Sequence, residues 1–388
     1  MGVIGVFAWG CASAPAETGP KLTPEEARDS AKVWHSIGKD YLYNKQNYER
    51  AIKNFWRALG YDSTFTDVYV DLGRAYLESG KIDSAEWAYR KIAEIDPKDT
   101  RGWQGLGFMY GIVKHDVEKA REFYMKALEV DPENNDARFG LAKVYEKAGM
   151  REKADSIYQE ALAKDPDNPA LNRAYGLFLF ERGDYEGAVK YLEKAYEEIK
   201  DDKELHEKLL DSYRKLGGRK RLQKALEHAN WLIQEEDSTN YAYYLKRGEV
   251  YEGLKKYKEA EADYLKAMEL ADSNAGVWMK AASFYLDRGK TGKAQKLIKE
   301  ALEFPSGQRP EIQSPGYAML GDIALKQAEA LYKKRKYKRA LSFYDTAISY
   351  YRKAVAAGES RWAEYARKKL EYAQKKRKKA WRKYKQIE

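Results

Sequence analysis

From Trp34 onward, apolar positions recur along the chain in paired bursts with a 34-residue period. The clearest unit, Thr66 to Asp99, places Tyr69, Leu72, Gly73 and Tyr76 in its first burst and Ala85, Tyr89 and Ile92 in its second, with Gly80 between them and Pro97 after. Each unit therefore predicts a helical hairpin. Small residues mark the close approaches: Gly38, Gly73, Gly107, Gly176, Gly248 and Gly321 on the first helix, and Ala51, Ala85, Ala120, Ala154, Ala188, Ala225, Ala260, Ala294 and Ala340 on the second. Asp96-Pro97, Asp131-Pro132 and Asp165-Pro166 stop the second helix, because proline lacks a donor and disfavours helix in the residue before it. At the front, Thr23-Pro24-Glu25-Glu26 reads as a capping box, so helix should begin at Pro24. At the back, a helix is expected from Arg361 almost to the end. Trp362, Ala366, Leu370 and Ala373 form its packing stripe, which weakens beyond Ala373.

The order W-x2-L-G-x2-Y, A-x3-F/Y, A, P is carried by Trp103, Leu106, Gly107, Tyr110, Ala120, Tyr124, Ala127 and Pro132, and it resembles the tetratricopeptide repeat (TPR). The resemblance covers roughly residues 30–357. It implies an all-α, right-handed solenoid of about eight to nine hairpins closed by a C-terminal capping helix. The organisation that follows is an apolar leader and tether at residues 1–23, the array at 24–304, a Pro/Gly linker at 305–316 that should break helix, and a divergent ninth hairpin with a basic helix at 317–388. The units are uneven. The first and third carry one extra residue in the hairpin turn. The unit from Lys203 has Leu210 in place of the small residue and a turn Gly217-Gly218-Arg219-Lys220, so it should pack less tightly. In the ninth, Gly321 and Ala340 stand 19 apart where 12 is usual.

The resemblance also implies that the first helix of each hairpin lines a concave face. Its groove positions fall on Gln104, Gly105, Phe108 and Ile112, then Phe139, Gly140 and Lys143, then Arg173, Ala174, Leu177 and Phe180. Small residues with apolar neighbours read as the floor of a trough for a protein or peptide segment. The lysine and asparagine clamp that other TPR grooves use for a terminal carboxylate is not matched by His35, Val70 and Gln104 or by Lys39, Arg74 and Phe108.

Charge changes the picture at one end. The 388 residues carry a net +10, yet the first 320 carry −4 and the segment from Gly321 carries +14. Lys375, Lys376, Arg377, Lys378, Lys379, Arg382, Lys383 and Lys385 are interleaved with Trp381 and Tyr384. They are read either as a solvated helix end or as a contact for an anionic membrane surface or envelope polymer, with nucleic acid behind these. Charged residues at 34% and hydrophobic ones at 44% exclude a disordered chain, and the longest uncharged run, Met1 to Ala16, falls short of a spanning helix, which excludes a multi-span membrane protein.

The single cysteine, Cys11, excludes a disulfide framework. It follows an apolar run, and Ala8-Trp9-Gly10-Cys11 resembles a bacterial lipobox, although Trp9 is bulky and no basic residue precedes the run. That resemblance implies an acylated Cys11 anchoring the chain on the periplasmic side, at the outer membrane given Ala12. The alternative is a cytoplasmic adaptor whose basic helix binds nucleic acid. His35, His115, His206 and His228 show no metal-ligand spacing, and no phosphate loop or nucleophile elbow is present. The expectation is a binding scaffold with no catalytic residues, cofactor or metal, similar to TPR lipoproteins of bacterial envelopes.

Overall fold

The computed structural model describes residues 22–387; the leader and Cys11 lie outside the described residues. Among those described, every regular element is helical. They divide into two compact units, up to Leu171 and from Asn172. The first unit holds four hairpins: α1 (Pro24–Lys39) with α2 (Tyr48–Tyr61), α3 (Thr66–Glu78) with α4 (Ile82–Ile95), α5 (Thr100–Phe108) with α6 (Val117–Val130), and α7 (Asn135–Lys147) with α8 (Arg151–Lys164). Each second helix that is followed by another hairpin of this unit packs on that hairpin's first helix, and α5 also touches α3 and α7. The second unit continues with α9 (Pro169–Glu181), α10 (Tyr185–Glu198), α11 (Lys203–Leu216), α12 (Arg219–Trp231), α13 (Tyr241–Gly253), α14 (Tyr257–Ala271), α15 (Ala275–Asp287), α16 (Thr291–Glu303), α17 (Pro310–Lys333), α18 (Tyr337–Ala356) and α19 (Arg361–Lys385).

All nine second-helix alanines are fully buried. The first-helix glycines do something more specific than let backbones approach. A β-carbon on Gly73 would lie 2.6 Å from the Tyr89 ring, and one on Gly105 would lie 2.3 Å from the same ring. Tyr89 is therefore gripped between its own hairpin and the next. Tyr124 is held in the same way, with 2.8 Å at Gly107 and 2.5 Å at Gly140. A second set of tyrosines joins hairpins through hydroxyls. Tyr110 donates to Glu86 at 3.0 Å, where Lys114 and Arg90 also bind, and Tyr285 donates to Glu261 at 2.9 Å beside Lys290 and Lys293. Burial pulls the Glu86 carboxyl up, but its three donors outweigh that and hold it at about 2. Glu261 is likewise held at about 2, chiefly by Lys290.

The capping box forms as expected: the Glu26 amide donates to Thr23 Oγ1 and the Thr23 amide to Glu26 Oε2, so α1 begins at Pro24. Elsewhere the structure departs from the sequence expectations. The extra residues of the first and third hairpins are not in the turns but inside the helix ends, as π-helical turns at Asp40–Asn44 and Met109–Val113. The hairpin from Lys203 is not loosely packed. Leu210 is fully buried, and the offset that carries Tyr89 in the second hairpin carries fully buried Ala229 here. Large and small residues have exchanged helices, which conserves volume. Its turn is short, with Gly217 and Gly218 at φ 66° and 83°.

The segment 305–316 breaks helix only in its first half, between the end of α16 at Glu303 and the start of α17 at Pro310. Pro305–Gln308 forms a 3-10 turn, Pro310 takes the first position of α17, and α17 runs through Pro315 to Lys333. Pro310 costs nothing there, since a first-turn amide has no intrahelical acceptor. Pro315 lies near the start, where buried Ser314 and Gly316 pack α17 onto Leu302 and Ala354. On α19 the stripe also differs. Trp362 is 39% exposed, Ala363 is buried in its stead, and the stripe continues past Ala373 to buried Ala380. The small residues let α19 lie close along α18, a spacing of three and four that leaves the bulky side chain at 362 on the outside.

His206 and His228, which the spacing alone had left scattered, touch. Their Nδ1 atoms are 3.1 Å apart, His206 Nε2 donates to the Lys200 carbonyl at 2.8 Å, and the His206 ring stacks on Trp231 at 3.8 Å. The carbonyl fixes the His206 proton on Nε2, so His228 donates from Nδ1 and both rings are neutral. Burial, then the neighbouring His206, lowers His228 to about 4.

Two measurements check this packing. Gly105→Ala should cost about 1–3 kcal/mol in urea denaturation, because Tyr89 cannot retreat from Gly105 without striking Gly73. An unchanged midpoint would show that the ring is not gripped. The second concerns pH. A histidine near 6.5 when unfolded and about 4 when folded gives stability that is whole above pH 6.5 and lost as pH falls, by about 2 kcal/mol at pH 5. Urea titrations at pH 7 and pH 5 should show that loss, and His228→Asn, which keeps a donor at the Nδ1 position, should reduce it.

Candidate peptide-binding groove

In the first unit the first helices α3, α5 and α7 border a cleft of about 450 Å³. Val70, Arg74 and Leu77 of α3 face it with Gln104, Gly105 and Phe108 of α5, and Tyr89 and Tyr124 form its floor. The floor follows from the gripped rings: each tyrosine passes beneath a glycine of the next hairpin and ends in the cleft. Neither hydroxyl has a hydrogen-bond partner among the described residues, and burial pushes both phenols up, so both stay protonated donors at neutral pH.

The rim is set by a short chain of polar contacts. His35 Nε2 lies 2.7 Å from Asp71 Oδ2, and Tyr43 donates to Asp71 Oδ1 at 2.5 Å. Burial would raise the Asp71 carboxyl, but these two hydrogen bonds prevail and leave it below the usual range. Burial, reinforced by Asp71, pushes Tyr43 up to about 12. The Arg74 guanidinium lies over the Tyr43 ring at 5.1 Å and pairs with no carboxylate among the described residues. Arg101, by contrast, is occupied by Asp67 at 2.5 Å and Asp99 at 2.6 Å.

Of the residues expected in the groove, Gln104, Gly105 and Phe108 come together in this cleft. Phe108 is 46% exposed and is its apolar anchor, whereas Gln104 is tied to Thr100 and Asn134 at 3.2 and 3.1 Å. Gly105 and Gly140 are small because tyrosine rings fill their space, which corrects their reading as an open floor. Ile112 and Phe139 are half-buried, with Phe139 tilted against Tyr158 at 6.4 Å, and Lys143 is paired with Glu146 at 3.0 Å. In the second unit, Arg173 is held by Asp202 at 2.7 Å and Glu204 at 2.6 Å. Ala174 is buried and so is a packing residue, Leu177 is half-buried, and Phe180 is covered by Tyr185 and by Lys208, whose Nζ is 4.5 Å from the ring centre. Tyr43, Leu77, Tyr89 and Tyr124 were missed; the tyrosines could have been found by asking what fills the space above Gly105 and Gly140.

On α19, Arg377 is paired with Asp345, Lys376 lies over Tyr372 at 5.0 Å, and Lys383 donates to Gln386 at 3.1 Å. Lys375, Lys378, Lys379 and Arg382 make no ion pair among the described residues, and Lys385 is the last residue of the helix. Among the described residues no cluster of His, Cys, Asp and Glu could hold a metal ion, and no helix is long and apolar enough to cross a membrane.

Comparison with known proteins accords with this architecture. The model of the cytochrome c-type biogenesis protein H TPR domain matches residues 87–206, and two tetratricopeptide repeat models match residues 42–107 and 241–274. Tetratricopeptide repeat protein 21A of Mus musculus is 25% identical over 178 residues, 45% of this chain and 13% of that protein. Type IV pilus assembly protein PilF of Pseudomonas aeruginosa is 37% identical over 91 residues, 24% of this chain and 35% of that protein. The chain thus spans less than two thirds of the length of these curated relatives. The crystal structure of PilW, a widely conserved type IV pilus biogenesis factor, superposes with a TM-score of 0.44 at 18% identity, covering 54% of this chain and 97% of that one. Helical hairpins fill both units, and the repeat is matched in each: the chain belongs to the tetratricopeptide repeat proteins.

Proposed function

We propose that this chain is a non-enzymatic scaffold that holds an extended segment of a partner protein in the cleft of its first unit. TPR domains bind protein partners, and the observation that supports this site is the pairing of an exposed Phe108 with the unpartnered hydroxyls of Tyr89 and Tyr124. A peptide there has an apolar contact for one side chain, two donors for backbone carbonyls, and an unpaired Arg74 for a carbonyl or carboxylate. We further propose that an acylated Cys11 tethers the chain on the periplasmic side of an outer membrane, where it supports assembly of an envelope complex. The similarity to a type IV pilus assembly protein supports that class of role.

A photo-crosslinking residue at position 108, used in native membranes, should capture the partner, and the captured segment can then be titrated as a peptide. Phe108→Ser should weaken its binding about tenfold or more and change stability by less than about 1 kcal/mol. Tyr89→Phe, which deletes only an unpartnered hydroxyl, should weaken binding about fivefold with the same urea midpoint. Equal affinity of both variants would place the ligand elsewhere. Labelled palmitate should enter at Cys11, and Cys11→Ala should release the chain from membranes; a wild-type chain that stays unlabelled and soluble overturns the tether.

A further inference from the structure

The last turns of α19 carry only part of the excess positive charge of the segment from Gly321. The structure adds a second source. The turn between α17 and α18 carries Lys333, Lys334, Arg335, Lys336, Lys338 and Arg339, with no acid among them. Because α19 runs back along α18, its C-terminal half arrives at this turn. Lys333 shares a cleft of about 340 Å³ with Lys376 and Lys379, and Lys338 shares another with Arg377 and Tyr384. The carboxylates lining these clefts are Glu329 and Asp345. Asp345 is bound by Arg377, and Glu329, which accepts from the Tyr372 hydroxyl at 2.8 Å, keeps its charge beside Lys376, so these two carboxylates offset only a small part of the positive charge gathered here.

Helix physics alone would not choose these residues. Cations suit the C-terminal ends of α17 and α19, but Lys336, Lys338 and Arg339 stand at the N-terminus of α18, where the dipole disfavours positive charge. That end has no acidic residue in its first turn and no side-chain cap. The arrangement costs stability locally, and an anionic partner would offset it.

We propose that this end of the α17–α19 bundle is a binding surface for an anionic phospholipid bilayer, made jointly by the turn 333–339 and the last turns of α19. Three observations favour a bilayer. Ten of the fourteen cations in residues 333–339 and 375–385 are lysine, a point charge suited to a diffuse anionic surface, where nucleic-acid contacts favour the planar fork of arginine. Trp381 is 49% exposed among them, in keeping with the preference of indole for the headgroup region. Ile387, 70% exposed just beyond, offers apolar contact that hydrocarbon accepts and a base stack does not use. None of its residues lines the peptide cleft.

The test is sedimentation of the full-length Cys11→Ala chain, which no acyl group can anchor, with phosphatidylcholine vesicles lacking or containing phosphatidylglycerol. Binding should require phosphatidylglycerol and fall about tenfold or more from low to physiological ionic strength. Two sets of substitutions separate the halves of the surface: Lys334→Gln, Arg335→Gln and Lys336→Gln in the turn, and Lys375→Gln, Lys378→Gln and Lys379→Gln on α19. Each should weaken binding about tenfold or more, and Lys334→Arg with Lys336→Arg should leave it intact. Helical circular dichroism should be unchanged in both sets, and the turn set should melt no lower than wild type, since it removes a cation from a helix N-terminus. Trp381→Ala should weaken binding further. The proposal is overturned by equal binding to neutral vesicles, by a turn set that binds like wild type, or by a duplex or single-stranded DNA probe that phosphatidylglycerol vesicles fail to displace.

Discussion

The contact on which the first unit depends is an aromatic ring held on both sides by glycine. Tyr89 leaves α4, lies against Gly73 of its own hairpin and meets Gly105 of the next, and Tyr124 does the same between Gly107 and Gly140. A ring so placed fixes the separation of two helices within a hairpin and of two hairpins at once. It also determines the cleft, because its hydroxyl end emerges between the first helices. Fold and candidate site thus share side chains here, and a change that loosens one disturbs the other.

The hydroxyl contacts at Glu86 and Glu261 extend this coupling with charge. In each, a second-helix carboxylate collects a tyrosine from the next hairpin together with its lysine or lysines, Lys114 at Glu86 and Lys290 and Lys293 at Glu261. Glu193 receives Tyr213 and Lys224 in the same way. Cations in the body of both units are therefore consumed close to where they arise, consistent with the near balance of acids and bases before Gly321. At the basic end of the α17–α19 bundle the clefts hold two such acceptors, Glu329 and Asp345, against many more cations, and most of that charge stays outward.

Much of this was readable in the sequence, for reasons that differ from residue to residue. The alanine offset, the capping box at Thr23 and the helix beginning at Arg361 are local or strictly periodic signals, and all three appear in the structure. Phe108 was found because a groove position follows from the repeat. The floor was not found, since the small size of Gly105 and Gly140 has two explanations and only the position of Tyr89 and Tyr124 decides between them. The pairing of His206 with His228 depends on two helices crossing, and no linear spacing announces it. Pro315 reads as a breaker, yet buried neighbours keep α17 continuous. The turn cations at 333–339 lie more than thirty residues from those of the last turns of α19, and only the antiparallel path of α18 brings the two sets together.

The π-helical turns at Asp40–Asn44 and Met109–Val113 each take up one residue without passing it to the following helix. After each, the chain turns through a left-handed residue, Gln46 or His115, and the second helix starts with its buried alanine in the usual place. Phase along the sequence and phase along the array are thus independent quantities in this protein. A fixed 34-residue ruler slips at Asn44 and again at Val113, while the stack of hairpins in that unit keeps its beat. Single-residue insertions are admissible at such helix ends, and an array of this kind can drift in repeat length over time while each ring still finds its two glycines.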